Sequence, residues 1–411
     1  MSIVRIRDTK MTKQFRAGRS NKLTLAAFAT AALLLGACGS DETGASQSTE
    51  TIELPEGVPA EALVQADGPV SLSDIGLPDG FAIHEWAQVD GARSMVVGDG
   101  FVVIGTQGDA VYTVPFDGMM NAGETRLVAE DLTLPNGLAL IDGVLYIAEQ
   151  VQLVRWGDAP FDPANPVQTP VKVGPDLPDL SHHGWRYMAT TSDNQLLIAL
   201  GSPCNICTPE GLQGSIIKVD PQTGDYATVA TGIRNSVGVT IHPQTGVPFF
   251  TDNGADMMGD DTPPGEINAL TQEGANYGFP WYGGGHDRTP DFADATPPEG
   301  LVFPVMDMDP HAAGLGFIFY QGDMLPAAYK GSIILAQHGS WNRTFPIGYR
   351  LMHVMTDADG MPTSKQEFAT GWLDKGDVTG RPVDVKELPD GSILVSDDMN
   401  GVIYRITYSA P

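Results

Sequence analysis

Apolar residues along this chain fall into short runs with period-two alternation, and Gly, Asp, Asn and Pro interrupt the runs about every ten residues. The stretch "ARSMVVGDGFVVIGTQGDAVYTV", residues 92–114, reads as a strand, a Gly-Asp-Gly turn, an apolar strand, a polar residue with a Gly turn, and a third strand. "LPNGLALIDGVLYIAEQVQLVRW", residues 134–156, repeats the rhythm with Asp142-Gly143 at the turn and Glu149 at the polar place. A third copy opens at His182, turns at Ser192-Asp193-Asn194, passes Ser202 and resumes at "GSIIKVD". The fourth, "RNSVGVTIHPQTGVPFFTDNG" over 234–254, is completed by "GEINAL". A fifth runs from "AAGLGFIFYQGDMLPAAYKGSIILAQHG" into "YRLMHVM", and the sixth is "GRPVDVKELPDGSILVSDDMNGVIYRI" over 380–406.

Each unit predicts an antiparallel sheet of three regular strands, with a fourth in the less regular segment between copies. The copies recur roughly 40 to 75 residues apart, which suits blades with loop insertions better than a solenoid. No alternation of strands with helical patterns supports a doubly wound fold. The expected fold class is therefore all-β, a six-bladed β-propeller over residues 72–411. In that architecture the innermost strands begin at one end of a central channel, so residues far apart in sequence become neighbours there. Polar residues stand at those strand starts: Arg93, Asn136, His182, Arg234-Asn235, His311 and Arg381. Together they supply a base and several cationic donors, which suits binding an anionic organic ligand and moving a proton. The plainer alternative is a set of polar groups that only contact water.

The amino-terminal segment reads separately. Seven basic residues between Arg5 and Lys22 precede the apolar run "LTLAAFATAALLL", which is too short to span a bilayer comfortably and ends in "LGAC" at Cys38. A Leu, two small residues and a Cys resemble a bacterial lipobox, cut before a Cys that then carries lipid. An ordinary secretory signal fits the same small residues, and both predict export. Residues 1–37 are thus expected to be a lipoprotein signal peptide and 38–71 a disordered acidic tether, poor in aromatics. The expected location is the periplasm or the cell surface, with membrane contact only through the lipid anchor at Cys38. Removing the seven basic residues and Asp8 takes the formal charge of −28 to −34, which argues against nucleic acid and anionic lipid as partners. Cys204 and Cys207 form a C-x-x-C pair without the further ligands a structural zinc needs or the βαβ context of a redox motif. A small disulfide strapping one loop is the expectation in an oxidising compartment.

Longer motifs carry a family likeness. "HHGW…GSPCNIC", "GIRNSVGVTIHPQTG", "FFTDNGADMMGDD", "GEINALTQEGANYGFPW", "SWNR" and "GRPVDVKELPDGSILVSDD" occur in this order. The propeller resembles the soluble pyrroloquinoline-quinone-dependent aldose (glucose) dehydrogenase family, in particular its sorbosone dehydrogenase-like branch. The resemblance implies pyrroloquinoline quinone and Ca2+ as cofactors, a sugar substrate and an external electron acceptor, a quinone or a cytochrome. It implies that His182, in the pattern His-x-Gly-x-Arg ending at Arg186, is the catalytic base that takes the proton of the anomeric hydroxyl, with His183 a neighbour. An imidazole can do this without a metal of its own. Arg234 and Asn235 match an Arg-Asn pair in which the Arg contacts the quinone's oxygens and stabilises developing charge. Gly254 and Ala255 match the dipeptide whose carbonyls hold calcium, with Ala255 in place of the family's usual Pro. Arg381 matches a cofactor-carboxylate clamp, while Thr379 stands where glucose-oxidising relatives carry a second Arg. Arg343 matches a family Lys that contacts the quinone, and Trp341 either walls the substrate pocket or packs beneath its loop.

The loop "DNGADMMGDDTPPGE" carries Asp252, Asp256, Asp260, Asp261 and Glu266, a candidate second calcium site whose spacing is not that of an EF-hand. Two further functional classes compete. A calcium-dependent propeller lactonase or hydrolase would need acidic and amide side chains converging on a metal, where this chain has Arg and His. A non-catalytic quinone- or sugar-binding propeller would explain the missing second Arg.

Overall fold

The computed structural model describes residues 64–65, 70–180 and 182–410. Among these residues there is no α-helix. Blade 1 comprises Ala92–Gly98, Phe101–Thr106, Val111–Pro115 and Arg126–Ala129, and blade 2 Gly137–Ile141, Val144–Ala148, Leu153–Trp156 and Pro170–Val173. Blade 3 holds Met188–Thr190, Leu196–Leu200, Ser215–Val219 and Tyr226–Thr231; blade 4 holds Val239–Ile241, Pro248–Asp252, Gly265–Ala269 and Met306–Met308. Blade 5 is built from Gly314–Phe319, Ile333–Gln337, Arg350–Thr356 and Pro362–Ala369. Blade 6 takes three strands from Pro382–Glu387, Ile393–Asp397 and Val402–Tyr408, and its outer strand is Phe81–Gln88. The first strand of each blade lies against that of the next, and Pro382–Glu387 returns to Ala92–Gly98. The ring is the six-bladed β-propeller expected from the repeats, closed by pairing the earliest long strand with the last.

Period-two alternation explains why the blades stack. In blade 3, Leu196 and Ile198 join an apolar cluster with blade 2, while Leu197 and Ala199, on the opposite face, join one with blade 4. Phe249 and Phe250 divide in the same way between blades 5 and 3. Six such clusters fill the six interfaces between blades. Each fully buried Leu, Ile or Phe contributes roughly 1.5–3 kcal/mol relative to exposure.

The axis of the ring is filled at one level. Asp384, fully buried on blade 6, accepts the Met95 N–H of blade 1 at 2.8 Å and the Tyr187 hydroxyl at 2.7 Å, and Lys386 pairs with it at 2.9 Å. The strands approach so closely that a Cβ on Gly316 would lie 2.0 Å from an Asp384 oxygen.

Within the segment read as a tether, Val64–Gln65 pairs in parallel with Asp377–Val378. A hairpin, Leu373–Asp374 with Asp377–Val378, offers the edge, a long-range partner that composition does not reveal. The signal segment and Cys38 lie outside the described residues.

Candidate active site

In each blade the first and second strands run antiparallel, so the first begins and the second ends at the same face of the ring. Loops at that face enclose a cavity of about 450 Å³. Its floor is apolar: Val237 and Leu315 cluster with Val383, and Trp185 packs against them. The Arg93 guanidinium lies 3.7 Å over the Trp185 ring, a cation–π contact. A flat apolar floor with cationic walls suits a planar, anionic ligand.

His182 and His183 sit on the loop leading into blade 3, and both line the cavity. Arg186, fully buried, donates to the carbonyls of Gln150 at 3.0 Å, Pro178 at 2.5 Å and His183 at 3.2 Å, which fixes the loop. His183 adopts φ +52°. Its Nδ1 lies 3.0 Å from the Ser202 carbonyl, which can only accept, so Nδ1 carries the proton. Burial, then the Arg234 charge, push the His183 imidazole down to about 3. The side chain is therefore neutral at physiological pH. His182 is the exposed member of the pair.

Arg234 is almost completely buried and elaborately held. Nε donates to the Asn205 carbonyl at 3.0 Å, Nη1 to the Asn253 carbonyl at 3.1 Å, and Nη2 to Asn205 Oδ1 at 2.8 Å and Asp256 Oδ2 at 2.7 Å. Of the five N–H groups of a guanidinium, one on Nη1 remains for a ligand. The backbone N–H groups of Arg234 and Asn235 donate to the two oxygens of Asp252, at 2.8 and 2.6 Å, which anchors the turn. Asn235 Oδ1 is buried without a partner in the protein, as is Asn342 Oδ1. Both residues border the cavity.

Arg381 lines the cavity from blade 6, its guanidinium 5.5 Å over the Tyr349 ring. Among the described residues it has no carboxylate partner, unlike Arg93 and Arg234. Arg343 stands elsewhere. It donates to the Phe345 and Asp260 carbonyls and pairs with Asp261, tying the 340–345 loop to the 253–262 loop instead of bordering the cavity. Trp341 is about half exposed at the cavity's edge, a wall and not a buried support.

Gly254 borders the cavity and Ala255 is buried behind it, donating its N–H to the Gly283 carbonyl at 2.6 Å. A Cβ at position 254 would lie 2.6 Å from the Pro264 carbonyl oxygen and 3.0 Å from that of Gly283. Only glycine fits so close to these carbonyls, and an oxygen-rich recess of this kind suits calcium. Beside it, burial raises Glu266 to about 8, reinforced by the Asp252 charge, and burial raises Asp252 to about 6 against its hydrogen bonds. The other acids of this loop have separate partners: Asp256 pairs with Arg234, Asp260 accepts the Thr344 N–H, and Asp261 pairs with Arg343. Among the described residues no group of three or more His, Cys, Asp or Glu side chains is arranged to hold a metal. Cys204 and Cys207 are joined in a disulfide with Cα atoms 6.1 Å apart.

Sequence reading missed a second ring of residues. Gln107, Asn253, His338 and Asp398 each follow the second strand of a blade and line the same cavity. Asp398 accepts from Arg93 at 2.5 Å and lies 2.9 Å from His338 Nε2. Burial alone would raise its carboxyl, but His338 and Arg93 hold it well below the usual range. Aligning the polar residue after the second strand of each repeat would have found this ring.

The profile of the family described as "Glucose / Sorbosone dehydrogenase" matches residues 174–405. An "Uncharacterized protein" of Borreliella burgdorferi is 36% identical over 233 residues, covering 55% of this chain; the chain spans 61% of that curated relative's length. Similar solved structures include the holo PQQ domain of pyranose dehydrogenase from Coprinopsis cinerea, with TM-score 0.69, 18% identity, and coverage of 84% of this chain and 98% of that one. A Trichoderma reesei protein of Carbohydrate-Active Enzymes Family AA12 has TM-score 0.69 and 19% identity, covering 84% and 99%. The apo soluble aldose sugar dehydrogenase of Escherichia coli has TM-score 0.59 and 17% identity, covering 80% and 100%. At these identities the solved structures establish the shared fold.

Proposed function

Since this chain belongs to the Glucose / Sorbosone dehydrogenase family, we propose that it is an exported dehydrogenase, dependent on pyrroloquinoline quinone and Ca2+, that oxidises an aldose or sorbosone-like sugar aldehyde. Electrons then pass to an external acceptor, a quinone or a cytochrome. The observation that carries the reading is the convergence of His182 from blade 3, Arg234, Asn235 and Gly254 from blade 4, and Arg381 from blade 6 on one cavity.

The donor set fits the cofactor. Among the described residues Arg381 has a guanidinium without a carboxylate partner and Arg234 keeps one N–H, which together suit a ligand rich in carboxylate and carbonyl groups, while the buried Asn235 oxygen is left to accept from a donor group. The apolar floor at Val237 and Leu315 suits its flat rings. Gly254, with Ala255 behind it, offers backbone carbonyls to calcium. The bound quinone supplies the acceptor for the hydride leaving the sugar's C1. His182 takes the proton of the hydroxyl on that carbon, so one two-electron oxidation releases one hydride and one proton. His183, neutral and tied to Ser202, holds the loop and leaves the proton to its neighbour. Arg234, pinned on three sides, presents a fixed positive charge that needs no reorganisation as charge develops.

The lactonase alternative is disfavoured by the separate partners of Asp256, Asp260 and Asp261 and by the arginines at the mouth. A lipid on Cys38 would keep the enzyme beside membrane electron carriers. Dye-linked oxidation of a panel of aldoses and sorbosone tests the proposal: activity is expected only with quinone and calcium together. Lactone hydrolysis without dye reduction would refute it.

A further inference from the structure

Arg234 depends on a side chain that the family likeness does not single out. Asn205 lies between the bridged cysteines Cys204 and Cys207 and supplies two of the four acceptors that hold the guanidinium, its carbonyl oxygen and Oδ1. The same Oδ1 accepts the Asp256 N–H at 2.8 Å, and Asn205 Nδ2 donates to the Asp256 carbonyl at 3.0 Å. Asp256 is in turn the carboxylate partner of Arg234 at 2.7 Å. Asn205 therefore fixes the arginine both directly and through its counter-ion.

Asn205 is exposed, in a loop without regular secondary structure. Such a segment would ordinarily sample many conformations, and ordering it opposes the gain from its hydrogen bonds. Two features restrict it. The disulfide closes a loop of four residues around Asn205, and Ser202 Oγ donates to the Cys204 carbonyl at 2.8 Å while its N–H donates to the Arg234 carbonyl at 2.8 Å. The bridge thus joins a chain of contacts that ends on the one cavity cation pinned by four hydrogen bonds. A loop only required to cover the rim would need none of this.

We propose that Asn205 is the positioning residue of Arg234, and that the Cys204–Cys207 disulfide, by ordering Asn205, sets the affinity of the cavity for its anionic ligand. The inference rests on the reading that Arg234 contacts pyrroloquinoline quinone. Reduction of the bridge breaks the S–S bond with two electrons and two protons from a dithiol reductant, gives two thiols, and releases Asn205. Binding would then be tuned by a covalent bond outside the reacting atoms.

The test measures quinone affinity of the full chain by titration calorimetry in excess calcium, for the wild type, Asn205→Ala, Cys204→Ser/Cys207→Ser and Arg234→Gln, and for each of the first two changes in the Arg234→Gln background. Loss of a hydrogen bond to a charged group predicts affinities weaker by about tenfold or more for Asn205→Ala and for the bridge variant. In the Arg234→Gln background neither change should weaken binding further, whereas a merely structural role would weaken it in both backgrounds. Asn205→Ala leaves the bridge intact and keeps the test decisive should the serine variant fail to fold. Wild-type affinity in Asn205→Ala, or equal losses in both backgrounds, would overturn the inference while leaving the quinone reading standing. No quinone binding by the wild type, or undiminished binding by Arg234→Gln, would overturn the quinone reading and the inference with it.

Discussion

Replacing His183 by Asn should flatten the acid limb of the stability profile. In the folded protein, burial and the Arg234 charge keep this imidazole from taking a proton until about pH 3, whereas an unfolded histidine takes one near 6.5. Between those values the unfolded chain holds more protons, so His183 contributes stability that is fully present above pH 6.5 and is lost as pH falls toward 3. The loss approaches ~1.4 kcal/mol per pH unit, or about 2–3 kcal/mol between pH 6.5 and 4.5. Unfolding entropy near 2.1 cal/mol/K per residue gives about 0.7 kcal/mol/K for a propeller of roughly 340 residues, so the matching drop in Tm is about 3–4 °C. Asn tolerates the φ of +52° at this position, and its Nδ2 can replace Nδ1 as donor to the Ser202 carbonyl. Scanning calorimetry of both proteins at pH 7.0, 5.5 and 4.5 isolates the effect, because the many surface carboxylates are common to the two. The wild type should lose about 3–4 °C more than His183→Asn across this interval. Parallel profiles would refute the assignment of a buried neutral imidazole.

Arg381→Gln should weaken quinone binding by about 10- to 100-fold in calorimetry with little change in Tm, since among the described residues its guanidinium has no carboxylate to leave unpaired. His182→Ala should abolish dye-linked turnover yet keep quinone affinity within a few-fold, separating the base from the cofactor cradle. Asp398→Asn leaves the buried Arg93 charge without its ion pair and should cost about 3–5 kcal/mol in denaturant unfolding. Deleting residues 72–88 removes the outer strand of blade 6 that pairs with Val402–Tyr408, and the truncated chain should lose its cooperative thermal transition.

Short apolar runs bounded by turn residues were enough to read the blades, because strands buried on both faces must place apolar residues at successive positions, as Leu196 to Leu200 do. The closing strand Phe81–Gln88 escaped that reading. Its residues are half-buried or exposed apart from the buried Trp86, and its partner Val402–Tyr408 is more than 300 residues away, so no local signal links them. Within the site, strand starts pointed to Arg93, Asn136, His182, Arg234, Asn235, His311 and Arg381; all reach the cavity except Asn136, which is buried and accepts a hydrogen bond from Arg93. Strand ends, which hold His338 and Asp398, were overlooked although antiparallel pairing places them at the same face. Arg343 shows the limit of motif matching: Asp260 and Asp261 draw its guanidinium toward the 253–262 loop, a choice made by contacts far apart in sequence. Asn205 was hidden for the same reason, since its partners Arg234 and Asp256 lie 29 and 51 residues away.

Titrating the wild-type chain with pyrroloquinoline quinone in a calorimeter, with calcium and with a chelator, probes the cavity most directly. One quinone per chain should bind in calcium, binding should be lost in chelator, and both Arg234→Gln and Arg381→Gln should weaken it. Absence of binding in calcium, or binding indifferent to both arginines, would contradict a quinone site at the mouth of this propeller.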